Sequence, residues 1–114
     1  MKIDEFLNKL LSAPDGVEFF GAMAVIDSLY DFTPTEFRNG ELVNAAGQNN
    51  GSCKLFAFAK LQGLNKEQTL ACFGAYYRKD VLEHPDGSDH GNIRNFMKFG
   101  WDGIAYAAEP LRKK

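Results

Sequence analysis

The sequence predicts a mainly α, small α+β fold: about five helices around one core, with at most one short β-hairpin. Three observations lead there. Apolar residues recur at i, i+3, i+4 and i+7 through most of the chain. Clusters of Pro, Gly and Asn cut that periodicity into pieces of helical length. One dipeptide, Asn39-Gly40, carries the strongest short hairpin signal.

Ile3, Phe6, Leu7, Leu10 and Leu11 set an amphipathic helix over 3–12, which Pro14 ends. Asp15 and Glu18 form a capping pair for a second helix over about 16–30. With Phe19, Phe20, Met23, Ile26 and Tyr30 it is apolar around most of its girth, which predicts deep burial. Residues 33–43 admit two readings. Thr33 and Pro34 can open a helical turn, or Glu36-Phe37-Arg38 and Glu41-Leu42-Val43 can flank an Asn39-Gly40 turn. The hairpin is preferred.

Ser52 or Asn50 is expected to cap a helix over about 53–62, with Gly63 as its stop. Asn65 and Gln68 cap another that runs to about Glu83, its inner face Leu70, Phe73, Tyr77 and Val81. His84-Pro85-Asp86-Gly87 is a turn. Asp89 or Ser88 then caps a last helix bearing Ile93, Phe96 and Met97, closed by Gly100, with Trp101 folding back onto the core.

A chain of 114 residues is expected to form one domain, 1–114, able to bury a core without staples. Ten Phe, four Tyr and one Trp supply the bulk of that core. Thirteen basic against fifteen acidic residues give a net charge of −2, which argues against a dedicated nucleic-acid binder. Cys53 and Cys72 are too few for a disulfide framework, so a reducing compartment is expected. The opening Met1-Lys2-Ile3-Asp4-Glu5 breaks the apolar run of a signal peptide, and no apolar stretch is long enough to span a bilayer. Neither a nucleic-acid nor a membrane partner is expected.

The segment from Asn39 to Lys54 concentrates the chemistry. Its sixteen residues hold four Asn, one Gln, three Gly and a Cys, and they lead into the apolar run Leu55-Phe56-Ala57-Phe58-Ala59. Backbone amides at a helix start, carboxamides and a thiol are ligand-contacting groups. Gly47-x-x-x-Gly51-Ser52 lacks the Gly-Lys-Ser/Thr ending of a phosphate loop, and no cofactor is implied.

Residues from about Phe19 to Trp101 resemble the HopJ type III effector protein family. The likeness rests on Tyr30-Asp31-Phe32-Thr33-Pro34, Asn39-Gly40-Glu41-Leu42-Val43-Asn44 and Gly47-Gln48-Asn49-Asn50-Gly51-Ser52-Cys53-Lys54. It continues through Thr69-Leu70-Ala71-Cys72-Phe73-Gly74, Tyr77-Arg78-Lys79-Asp80-Val81-Leu82, His84-Pro85-Asp86-Gly87 followed by Asp89-His90, and Asn92-Ile93-Arg94-Asn95-Phe96. The resemblance implies a bacterial protein from a family named for effectors delivered into plant cells, and it supplies no established activity. Effector secretion signals are disordered and poor in acidic residues, whereas Asp4 and Glu5 lie in a well-patterned helix. The expected location is therefore the bacterial cytoplasm.

Three functions are open at this stage. The first is a binding module for a small anionic or polar ligand, or for a protein partner. Its face would be Asn44, Gln48, Asn49, Asn50, Gly51, Ser52 and Lys54, with Arg78 and Arg94 as anion forks. The second is a cysteine-dependent hydrolase or transferase, with Cys53 as nucleophile, His90 as base and Asp89 or Asn92 as orienting group. The third is a metal site using His84 and His90, although their spacing fits no standard motif.

Overall fold

In the computed structural model, which describes residues 2–114, five α-helices and five short strands enclose one aromatic core. The helices are α1 (Ile3–Ser12), α2 (Phe19–Leu29), α3 (Asn50–Leu61), α4 (Lys66–Ala71) and α5 (Gly91–Phe99). The strands are β1 (Tyr30–Phe32), β2 (Phe37–Asn39), β3 (Leu42–Asn44), β4 (Ile104–Tyr106) and β5 (Leu111–Lys113). All pairings are antiparallel: β1 with β5, and a three-stranded sheet in the order β3-β2-β4.

Helix α1 buries Phe6 and Leu10, as its periodicity requires. Helix α2 departs from expectation. Pro14–Gly16 form a 3-10 turn, and the helix begins only at Phe19, without a side-chain cap. It buries one stripe (Ala22, Val25, Ile26), while Phe20 remains 71% exposed. The helix enclosed on all sides is α3, where Leu55 to Ala59 are all buried. Phe56 lies at its centre, against Phe37, Phe73, Phe96 and Trp101 at ring separations of 6.3, 5.4, 4.8 and 6.5 Å. Trp101 folds back as expected, its indole N–H donating to the Leu64 carbonyl at 3.0 Å.

The hairpin is present, but its loop is one residue later than the Asn39-Gly40 signal suggests. Asn39 pairs with Leu42, leaving Gly40-Glu41 as the loop and Gly40 at φ +61°. Asn39 is drawn into the strand because its fully buried amide donates to Asn92, at 2.7 Å to the backbone carbonyl and 3.0 Å to the side chain. Thr33-Pro34 opens no helical turn; Thr33 N–H bonds the Pro110 carbonyl at 2.8 Å. Strands β1, β4 and β5 extend the strand content beyond the single hairpin.

The long helix expected over 65–83 is broken. The Asn65/Gln68 capping box forms, but α4 ends at Ala71 and a π-helical segment follows at Tyr76–Val81. Gly74 makes the break, at φ +62°. A Cβ there would lie 2.8 Å from the Phe19 backbone nitrogen, so the chain passes where only glycine fits. Gly63 and Gly100 end α3 and α5 in positive φ, as expected.

Candidate functional site

The starts of α3 and α5 meet at a cleft of about 450 Å³. Asn49, Gly51 and Ser52 line it from α3; His90, Gly91, Asn92 and Ile93 line it from α5. Phe19, Leu42, Phe73 and Tyr76 complete the wall. Phe19 and Phe73 stack at 6.0 Å, and Tyr76 meets Phe19 at 5.4 Å and His90 at 5.1 Å. One side is aromatic and apolar, the other polar.

Both helix starts are unusual in the same way. An N-cap residue ordinarily has extended backbone and turns its side chain onto the first amides. Here the N-caps are Asn49 (φ 52°, ψ 47°) and His90 (φ 52°, ψ 50°), both left-handed, and neither side chain caps its helix. They are the only non-glycine residues at positive φ among the described residues. The first intrahelical bonds are Cys53 N–H to Asn49 and Arg94 N–H to His90, at 3.0 and 3.1 Å. The amides of Asn50 to Ser52 and of Gly91 to Ile93 therefore precede the ladder, at the positive end of each helix dipole. The caps expected at Ser52 or Asn50, and at Asp89 or Ser88, do not form.

Buried carboxamides hold the two helix starts together. Asn44 and Asn92 exchange hydrogen bonds, Nδ2 to Oδ1 in each direction, at 3.1 and 3.0 Å. Asn49 donates to Asn44 at 2.7 Å, and Asn39 donates to Asn92 from the neighbouring strand. Asn39 Oδ1 has no hydrogen-bond partner among the described residues. Phe19 covers α3 closely at Gly51: a Cβ there would lie 2.8 Å from the ring, which would have to shift.

His90 Nε2 contacts Asp80 Oδ2 at 3.0 Å and lies 3.8 Å from Asp89 Oδ2. Asp80 belongs to the π-helical segment, a distortion found frequently at functional sites.

The other expected residues lie elsewhere. Cys53 is 1% exposed and does not line the cleft; its Sγ lies 3.7 Å from the Thr35 carbonyl oxygen. Burial raises its pKa, partly offset by the Thr35 backbone and by Tyr106. A sulfur held protonated and sealed is a packing group, because the nucleophile is the thiolate. Cys72 is more extreme, pushed up to about 12 by burial.

Gln48 closes its own loop by accepting from the Ala45 amide at 3.2 Å, and Asn50 is exposed outside the cleft lining. Lys54 pairs with Asp27 at 2.9 Å and sits over the Phe32 ring. Neither arginine lines the cleft. Arg78 donates to the carbonyls of Val17, Pro14 and Ala71, at 2.8, 3.3 and 3.5 Å. Arg94 clamps the 84–89 turn, donating to the carbonyls of His84, Pro85 and Asp89, and to the Asp89 carboxylate at 2.7 Å. That bond, with the guanidinium charge, lowers the Asp89 pKa. Both guanidinium groups hold backbone carbonyls that the sequence could not place beside them, with the carboxylates of Glu18 and Asp89 also in reach.

His84 is exposed, and no group of three or more His, Cys, Asp or Glu among the described residues could hold a metal ion. No helix among the described residues is long and apolar enough to cross a membrane. Phe19, Leu42, Phe73, Tyr76, Gly91 and Ile93 line the cleft without any pattern in the sequence that marks them as site residues. The departures from capping rules at Asn49 and His90 arise only on folding, so no local signal could have revealed them.

Comparison with known proteins agrees with this architecture. A crystal structure titled as an unknown function protein, VPA0580, is 54% identical, with TM-score 0.98, covering 100% of this chain and 95% of that one. No curated protein matches. The family model described as HopJ type III effector protein matches residues 3–111, nearly the whole chain. The chain belongs to the HopJ type III effector protein family.

Proposed function

We propose that the protein is a small binding module whose cleft takes a small ligand with one anionic or strongly polar group and an apolar body. One observation carries this reading: two uncapped helix starts face a single cleft. Amides that lack side-chain caps favour an anion, and Phe19, Phe73 and Tyr76 offer an apolar wall to the remainder. Asn49, Gly51 and Ser52 are retained from the expected face, His90 joins them from the expected catalytic set, and backbone donors stand in for Lys54, Arg78 and Arg94. The thiol of Cys53, buried against Thr35, weighs against the cysteine-enzyme alternative, and among the described residues no group of three or more His, Cys, Asp or Glu gathers to support a metal site at His84 and His90. Residence in the bacterial cytoplasm is part of the same reading, supported by acidic Asp4 and Glu5 in the first turn of α1. Type III-dependent translocation of a reporter fused to that helix would overturn it.

The binding test is amide chemical-shift mapping with inorganic phosphate and short-chain carboxylates. Saturable shifts at Gly51, Ser52, Gly91 and Asn92 are expected, lost in Gly51→Ala, whose new methyl displaces Phe19. Shifts scattered over the surface, or none, would sink the reading.

A further inference from the structure

We propose that Asn50 is a modification site: it deamidates spontaneously in the folded protein, and the aspartate and isoaspartate that result place a negative charge beside the cleft. The chemistry needs an asparagine amide, a following residue with no side chain to obstruct ring closure, and a backbone nitrogen free to attack. Only Asn39 and Asn50, among the asparagines of this chain, precede a glycine. The hairpin accounts for Asn39-Gly40, whereas neither packing nor ligand contact accounts for Asn50.

The fold treats these two dipeptides in opposite ways. Asn39 is 0% exposed, and its amide nitrogen donates to the carbonyl and the side chain of Asn92 at 2.7 and 3.0 Å. The Gly40 N–H donates to the Gly103 carbonyl at 2.9 Å, and the Phe99 ring packs against the glycine. Both reacting groups are engaged and shut off from water. Asn50 is exposed, and its carboxamide makes no hydrogen bond to another described residue. The Gly51 N–H lies ahead of the α3 ladder, whose first bond runs from Cys53 N–H to Asn49 at 3.0 Å. First turns open more readily than helix interiors, so the Asn50 backbone can swing its side chain onto the Gly51 nitrogen.

In the first step the Gly51 nitrogen bonds to Asn50 Cγ and the Cγ–Nδ2 bond breaks. The proton shed by the Gly51 nitrogen leaves with Nδ2 as ammonia, and a succinimide remains. Water then opens the ring. Attack at Cγ breaks its bond to the Gly51 nitrogen and gives aspartate; attack at the main-chain carbonyl gives isoaspartate, with the chain rerouted through Cγ. Water is the only co-reactant. Either product replaces a neutral amide by a carboxylate next to Gly51 and Ser52, which line the cleft. An anion entering there would meet a like charge. That consequence rests on the binding reading, whereas the conversion does not.

The test holds the full chain at mildly alkaline pH, folded or in urea, and follows the peptides carrying Asn39 and Asn50 by mass spectrometry. Isoaspartate is read separately by enzymatic carboxyl methylation. In the folded protein, conversion is expected at Asn50 and not at Asn39; in urea both should convert. Asn50→Gln should abolish methylation in the folded protein. An Asn50 that stays intact while folded, or an Asn39 that converts as fast, overturns the proposal. Inorganic phosphate titrated into fresh and converted protein reads the consequence for the cleft. Smaller shifts at Gly51 after conversion are expected, and undiminished ones overturn that consequence. If the fresh protein shows no shifts at all, the binding reading falls while conversion at Asn50 still stands on its own measurement.

Discussion

Asn44 and Asn92 face each other as a reciprocal amide pair, each donating Nδ2 to the other's Oδ1 at 3.1 and 3.0 Å. Asn44 is 1% and Asn92 6% exposed, so these groups are largely shielded from solvent. The pair ties the edge of the sheet to the start of α5, and through Asn49 to the start of α3. It is the physical reason that the cleft has fixed walls.

Asn92→Ala should cost about 1–3 kcal/mol, because it leaves the buried Asn44 amide without its partner, while Asn39 keeps its bond to the backbone carbonyl of residue 92. Urea unfolding of Asn92→Ala, Asn44→Ala and the double variant measures the coupling. The double variant should lose clearly less than the sum of the two singles. Additive losses would show that the pair contributes nothing as a pair.

Gly74→Ala should destabilise by more than about 1 kcal/mol, since a Cβ at φ +62° is strained and would press on Phe19 N. The displaced Phe19 should also weaken ligand-induced shifts at Gly51. A thermal melt equal to that of the parent protein would contradict this.

Both thiols should react slowly with a disulfide reagent in the native protein and quickly once urea unfolds it. Burial raises both pKa values and hides both sulfurs. Native-state reaction of Cys53 at the rate of a free thiol would reopen the nucleophile reading.

Cys72 links stability to alkaline pH. Its pKa is raised from 9.0 unfolded to about 12 folded, so the unfolded chain loses this proton first. The stabilising contribution is complete below pH 9 and is lost as pH rises toward 12, at up to about 1.4 kcal/mol per pH unit. Cys72→Ala should be less stable near neutrality but show a flatter decline above pH 9. Parallel curves for the two proteins would refute the linkage.

Arg94→Ala should release the turn at 84–89, seen as faster amide exchange at Gly87, whose N–H bonds the His84 carbonyl at 3.0 Å. The Asp89 pKa, lowered chiefly by its hydrogen bond to Arg94, should return toward 3.8 in a carboxyl NMR titration. Because the folded-state value is depressed, the pair's small contribution is present at neutral pH and fades as pH falls. An unchanged Asp89 titration would show that Arg94 does not hold it.

Helix existence was legible wherever local rules decide it. The spacing of Ile3, Phe6, Leu7 and Leu10, the Asn65/Gln68 box, and the stops at Gly63 and Gly100 all appear as expected. Gly74 was visible as a glycine inside a helical pattern, but its meaning depends on Phe19 passing against it. Strands β1, β4 and β5 are three residues each, too short for alternation to register. The candidate site was half legible. The Asn-rich segment and His90 do share a cleft, whereas the two arginines were assigned by charge alone, and charge does not say which carbonyls will lie within reach.

By itself the sequence determined a mainly helical chain with a hairpin, a family, and a polar segment beside an apolar helix. Each follows from contacts a few residues apart, which periodicity, capping and turn chemistry encode directly. Tertiary structure alone decided that Cys53 is sealed, that Arg78 and Arg94 hold loops, and that Asn49 and His90 open their helices to one cleft. Those outcomes depend on partners such as Asn92 for Asn44 and Asp80 for His90, brought together only when the whole chain packs.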